Sequence, residues 1–346
     1  MNYGLPYKGS KNRIAKKILD VLPAAPVLYD VFCGGCAITH AAMLSGKYSR
    51  VVANDINGMI PHAFETALKG GFRNEDRWIS RDDFQKLYKT DPYAAICFSF
   101  GNNLHEYCYA RDLEPYKRAL HYAIFWKDIA PWAELCPETA DALKKAVESE
   151  QDRYKRRIKA GRAIVTALKT GLMNGSIDPA VMDKPIYKKI RGKYPRVYLH
   201  SGWFAERMQS LQLLENDERL RRLESLERLQ SLERLERITD VDVPPCAPAL
   251  NVTTGDYKAL TFEQGGIIYC DPPYKSTKER YGREFDFAGF YSWCEHQANP
   301  VFISEYTMPE DRFVPVAAFT VTRKMNAKKS SICPEKIWRP RCQLGT

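Results

Sequence analysis

Val27-Leu28-Tyr29-Asp30-Val31-Phe32, running into Cys33-Gly34-Gly35-Cys36-Ala37-Ile38-Thr39, is the stretch that settles the fold. The first six residues read as a short buried strand, the paired glycines as a tight turn, and the residues after them as the start of a helix. Strand, glycine turn and helix together open a doubly wound nucleotide-binding sheet. A second apolar segment, Arg50-Val51-Val52-Ala53-Asn54-Asp55, ends in an acid. It stands about twenty residues past the glycines, the spacing at which such sheets bind ribose hydroxyls. Asp55 is therefore the expected ribose ligand. The turn lacks the full G-x-G-x-x-G that close approach to a pyrophosphate demands, which suits a nucleoside cofactor without phosphates.

S-adenosylmethionine is such a cofactor, and a second motif says what it could serve. Gly266-Ile267-Ile268-Tyr269-Cys270 leads into Asp271-Pro272-Pro273-Tyr274. The prolines fix φ, remove two backbone donors and prevent a helix from starting, so local carbonyls are left as acceptors. Asp271 and the Pro272 carbonyl can each accept one hydrogen of a planar amine, and Tyr274 can stack on the ring that carries it. That is chemistry on a nucleobase amine. The plainer reading of the same residues is a strand end, with Asp as a turn former and Tyr as a surface aromatic.

The third motif is Tyr7-Lys8-Gly9-Ser10-Lys11, which precedes Ile14, Ile18, Val21 and Leu22 at helical spacing, stopping at Pro23. In this order, the N-terminal motif, the glycine turn, the acid and Asp-Pro-Pro-Tyr resemble the Dam-type (D12 class) N6-adenine-specific DNA methyltransferases. The resemblance covers the first 60 or so residues and about the last hundred. It implies that Tyr7, Lys11, Asp30, Phe32, Gly34, Asp55 and Asp271 line the cofactor region. It also implies that Asp271, Pro272, Pro273 and Tyr274 face the target base. One position departs from the pattern: Cys36 stands where the family has its second glycine. A side chain there either shifts the cofactor or points away from it.

Asn251-Val252-Thr253-Thr254-Gly255-Asp256-Tyr257 resembles the family segment lining the cofactor's adenine, which makes Asp256 a cofactor candidate; an Asp in a glycine-containing turn is the alternative. Val301-Phe302-Ile303-Ser304-Glu305-Tyr306 reads as a later strand whose Ser-Glu-Tyr end lies at the rim of the site. Cys33 and Cys36 form a C-x-x-C, the signature of a redox or zinc half-site, yet no second pair follows and the other cysteines are scattered. Packing residues are the better reading, with no metal required.

At 346 residues with 45% hydrophobic content, the chain can bury a core in one large or two unequal domains. It has no run of 18 apolar residues and no signal-peptide core, so a soluble, cytoplasmic protein of a bacterial or phage-infected cell is expected, without membrane contact. Net charge is +10, and basic residues concentrate in the middle third. Arg153, Lys155, Arg156, Arg157, Lys159 and Arg162 crowd one helical stretch; Lys188, Lys189, Arg191, Lys193 and Arg196 fall in a loop. Both face double-stranded DNA if this region is the recognition insertion that the Dam-type order implies. Ser99-Phe100-Gly101-Asn102-Asn103 could supply base-edge hydrogen bonds or pack a joint between domains. From Leu220 to Ile238 every third residue is Leu or Ile, and Ser225–Gln230 is repeated as Ser231–Glu236. Successive leucines on a helix would retreat by about 60° around the axis rather than form one stripe. A helix without chemistry, or a period-three solenoid turn, is expected there.

The combined expectation is an α/β protein: a Rossmann-like class I S-adenosylmethionine-dependent sheet over residues 1–97 and 248–346. A mainly helical recognition insertion occupies 98–247. It would methylate the N6 amine of adenine at a specific short DNA sequence, by base flipping and direct transfer, as a monomer and in a restriction-modification setting. An N4-cytosine or RNA methyltransferase, a dinucleotide-dependent oxidoreductase and a decayed DNA-binding relative are the rivals.

Overall fold

The computed structural model describes residues 2–187, 229–273, 285–326 and 329–344, with the backbone alone from 321 to 333. Tyr274, the basic loop from Lys188 to Arg196 and most of the first hexapeptide copy lie outside the described residues. Chain order begins α1 (Ala15–Val21), β1 (Ala25–Asp30), α2 (Ala37–Ser45), β2 (Tyr48–Asp55), α3 (Met59–Leu68), α4 (Arg81–Leu87) and α5 (Pro92–Phe98). Next come α6 (Glu114–Trp126), α7 (Ala130–Leu135), α8 (Pro137–Glu148), α9 (Arg153–Met173) and α10 (Gln230–Thr239). The remainder is β3 (Ala249–Thr254), β4 (Ile267–Cys270), α11 (Phe287–Glu295), β5 (Val301–Glu305), β6 (Phe313–Asn326) and β7 (Lys329–Pro340).

These elements form two compact units, one of Met1–Asn74, Lys89–Ile96 and Arg237–Thr346, the other of Glu75–Tyr88 and Cys97–Glu236. The first holds a seven-stranded mixed sheet in the order β3-β2-β1-β4-β5-β7-β6. The β1 to β5 strands are parallel and only β7 runs against its neighbours. Chain order reverses between β1 and β4, and in such sheets ligands bind outside the carboxyl ends of the strands at that reversal. The apolar run of β1 is explained by burial on both faces: Val27, Leu28, Tyr29 and even Asp30 are buried. One face packs on Phe290, Tyr291 and Trp338, with Phe32 set edge-on against Phe290 and tilted against Tyr257.

The described part of the second unit is helical apart from one bridge between Ser99 and Tyr107. The second hexapeptide copy is helix α10, and Leu229, Leu232, Leu235 and Ile238 are all buried. Over so few turns their drift of about 60° per step keeps all four within one half of the helix, and Ser231 and Arg234 are buried with them. The Ser231 hydroxyl lies 2.9 Å from Tyr109 Oη, and Arg234 donates to the Cys97 carbonyl at 2.9 Å. Among the described residues no helix is long and apolar enough to cross a membrane.

His121 on α6 stacks on Phe125 and points its Nε2 at the Asp76 carbonyl, 2.7 Å away, so Nε2–H donates. Its Nδ1 is buried with no hydrogen-bond partner, and burial pushes the pKa down to about 4. The unfolded chain takes up this proton near pH 6.5, the folded unit only near 4, so stability is full above 6.5 and declines as pH falls through that window. At pH 5 the loss should be about 2 kcal/mol. Urea melts at pH 7 and pH 5, with His121→Gln abolishing most of the difference, check this.

Candidate active site

The parallel register sets the carboxyl ends of β1, β2 and β4 side by side. Asp30 is opposite Ala53 and Tyr269, and Asp55 opposite Thr254. Around this edge the glycine turn is tied down from three directions. Cys33 N–H donates to the Asn54 carbonyl at 2.9 Å, Gly34 N–H to Asp55 Oδ2 at 2.9 Å, and Leu5 N–H to the Gly35 carbonyl at 2.7 Å. The last bond lays the N-terminal segment over the turn, with Tyr7 above it. A Cβ added to Gly34 would meet the Tyr7 ring at 3.0 Å, and one on Gly35 would meet Tyr7 Cβ at 2.5 Å. Gly34 also has φ +47, so both glycines are required by space and one by backbone conformation as well.

Cys36 has φ +58, the left-handed conformation that favours glycine. Its side chain is wholly buried, with Sγ 3.7 Å from Cys33 Sγ. Of the two outcomes the sequence left open, it points inward, away from the surface of the turn. Burial pushes both thiols up, as it does for packed cysteines.

Asp55 accepts from Gly34 N–H and, through Oδ1, from Asn57 N–H at 2.9 Å. Burial raises its pKa, and the two amide bonds oppose the rise. Beside it Ile56 is 74% exposed, an apolar side chain that sequence reasoning passed over. Asp30 accepts from the Thr39 amide at 3.0 Å and its hydroxyl at 2.7 Å, capping the first turn of α2 from the neighbouring strand. Its Oδ1 is buried with no hydrogen-bond partner, and burial pushes its pKa up to about 7 against the Thr39 bonds. Asp256 is exposed and accepts from Lys258 N–H at 2.9 Å, the turn role named as its alternative.

Asp271 follows β4 directly, with Pro272 buried and Pro273 half-buried. Lys11, only 7% exposed, places Nζ 2.9 Å from Asp271 Oδ1 and 3.3 Å from Glu335 Oε1. Burial acts to lower the Lys11 pKa, but the two carboxylates outweigh it and the net shift is upward, so the lysine stays charged. Glu335 Oε1 also accepts from the Ser304 hydroxyl at 2.8 Å. Ser304 and Glu305 are buried, which corrects the expectation that the end of β5 forms the rim. Sequence reasoning missed Glu335; it stands in a strand with no motif around it.

In the second unit the six basic residues of α9 divide by role. Arg156 is buried and donates to the carbonyls of Ile124, Glu150 and Gln151, and Arg157 pairs with Glu233 at 3.0 Å. Arg153 donates to the Glu75 carbonyl at 3.0 Å. These three are structural, contrary to a reading of the whole run as duplex-facing. Lys155, Lys159 and Arg162 are exposed, at the i, i+4, i+7 spacing of one helix face. In the Ser99–Asn103 turn, Asn103 donates to Glu106 and accepts the amides of His105 and Glu106, so its amide is engaged within the loop.

A glycine turn under an aromatic ring, acids at three adjacent strand ends and a buried lysine lie together at the carboxyl edge of the parallel strands, the place where sheets of this order bind ligands. Residues 7–122 match the family model described as D12 class N6 adenine-specific DNA methyltransferase. That range contains Tyr7, Lys11, the glycine turn and Asp55; the match supports the Dam-type resemblance and indicates an adenine-specific DNA methyltransferase. Asp271, Pro272 and Pro273 lie beyond it. No curated protein matches the chain.

Proposed function

We propose that the protein transfers a methyl group from S-adenosylmethionine to the N6 amine of adenine in double-stranded DNA, with the first unit as a Rossmann-like class I methyltransferase domain. The observation that carries this reading is the placement of Asp271 at the end of β4, held by Lys11, on the same sheet edge as Asp30 and Asp55. The donor set suits the cofactor. Asp55 offers acceptors for ribose hydroxyls, the orphaned Asp30 Oδ1 an acceptor for an ammonium group, and exposed Ile56 an apolar face for an adenine. An edge lined with carboxylates favours a cationic ligand over a phosphate.

When bound, S-adenosylmethionine supplies an electrophilic methyl group. Asp271 and the Pro272 carbonyl would each accept a hydrogen bond from one amine hydrogen and leave the nitrogen lone pair free, with the Asp271 carboxylate as the acceptor of the one proton that the amine gives up on methylation. A base stacked in a duplex cannot reach this position, so flipping at a cost of a few kcal/mol is required. Stacking on Tyr274, worth about 1–3 kcal/mol, offsets part of it. Lys155, Lys159 and Arg162, in the unit read here as the target-recognition region, supply phosphate contacts.

Asp55→Ala should raise the cofactor Kd by about tenfold to a hundredfold, the worth of one or two charge-assisted hydrogen bonds, while transfer at saturating cofactor persists. Calorimetric titration checks this. The reading as a whole is tested by tritium transfer from labelled S-adenosylmethionine into unmethylated duplex DNA, followed by nucleoside analysis. Label in N6-methyladenine supports it, label in N4-methylcytosine overturns the base assignment, and no label with cofactor bound overturns transfer to DNA.

A further inference from the structure

The buried side of Lys11 holds a group that the reading above does not use. Glu335 is 3% exposed, comes from β7 near the far end of the chain, and shares the Lys11 ammonium with Asp271. We propose that Glu335 is a positioning residue for methyl transfer, fixing the place and the charge of Asp271 through Lys11. The proposal rests on the assignment of Asp271 as the residue that grips the target amine.

The argument is one of charge and register. β7 is antiparallel to β5 and pairs Lys336 with Glu305, so Glu335 stands just past the carboxyl end of β5, level with the edge that carries Asp271. Ser304, the neighbour of Glu305 on β5, anchors Glu335 Oε1 at 2.8 Å. An ammonium with one carboxylate partner follows that partner and neutralises it. An ammonium divided between two is held from both sides, and the trio keeps a net charge of −1. Asp271 thereby retains acceptor strength for an amine hydrogen while its Oδ1 is pinned. Glu335 contributes by fixing Lys11.

Glu335→Gln keeps the size and the acceptor facing Ser304 but removes the charge, so that Lys11 is no longer shared between these two carboxylates. Single-turnover transfer into unmethylated duplex DNA, per active site, should fall by about ten- to a hundredfold, the range for a misplaced catalytic group. The Kd values for cofactor and DNA should stay within about twofold, since binding contacts are untouched. Ser304→Ala, which frees the anchor and is milder on folding, should slow transfer by a smaller factor in the same direction. A merely structural role would lower the melting temperature and the fraction of active sites but leave the rate per active site unchanged. That outcome, or unchanged transfer in both variants, overturns the proposal for Glu335 while leaving the methyltransferase reading in place. A wild-type protein that transfers no label overturns that reading and the proposal with it.

Discussion

Asp271→Ala should reduce single-turnover methyl transfer by about 10³-fold, within the range found when a group acting on a proton at the reacting centre is removed. The carboxylate directs the amine lone pair, and alanine offers no acceptor in its place. The fold should survive, because Lys11 keeps Glu335 as a partner at 3.3 Å and Asp271 is itself partly exposed. Melting should shift by only a few degrees, on the order of 1 kcal/mol. Full activity in the variant would remove Asp271 from the site.

Lys11→Met should instead act on stability as well as rate. It leaves the Asp271 and Glu335 carboxylates facing a side chain without charge, and breaking a buried ion pair from one side costs about 3–5 kcal/mol. Both carboxylates lie within ion-pair distance of this ammonium, and Glu335 is almost fully buried. Urea unfolding followed by a probe in the sheet unit should show the loss, and adding Glu335→Gln to Lys11→Met should recover part of it by removing one buried negative charge. A Lys11→Met protein as stable as wild type would show that the ion pair is not held in solution.

The two variants separate roles that the sequence could only place side by side. Lys11 was legible as a charge at a helix start, and Asp271 as a strand-end acid. Their contact joins residues 260 positions apart in the chain, at 2.9 Å. No spacing rule reaches across that distance. The same holds for Ser304 and Glu335. The Ser-Glu-Tyr segment was visible as a strand end, but its burial follows from β7 lying on that side of β5, and pairing between distant strands leaves no local trace.

Local patterns did determine much. The run from Val27 to Thr39 specified strand, turn and helix because a glycine turn and a run buried on both faces are properties of the residues themselves. The second hexapeptide copy specified a helix because its composition favours one. What the sequence left open at Cys36 was decided by tertiary packing. The turn demands φ +58 whichever residue stands there, and the neighbouring Cys33 gives the side chain a place to turn inward. The basic run on α9 was sorted in the same way: three of its side chains were claimed by carbonyls and a carboxylate that only the fold brings within reach. The sequence by itself determined the elements and the motifs on them, through steric and periodic rules that act over a few residues. Which charges meet, which are buried and which stay exposed was decided by the tertiary structure, because Coulomb interactions and desolvation depend on distances in space rather than along the chain.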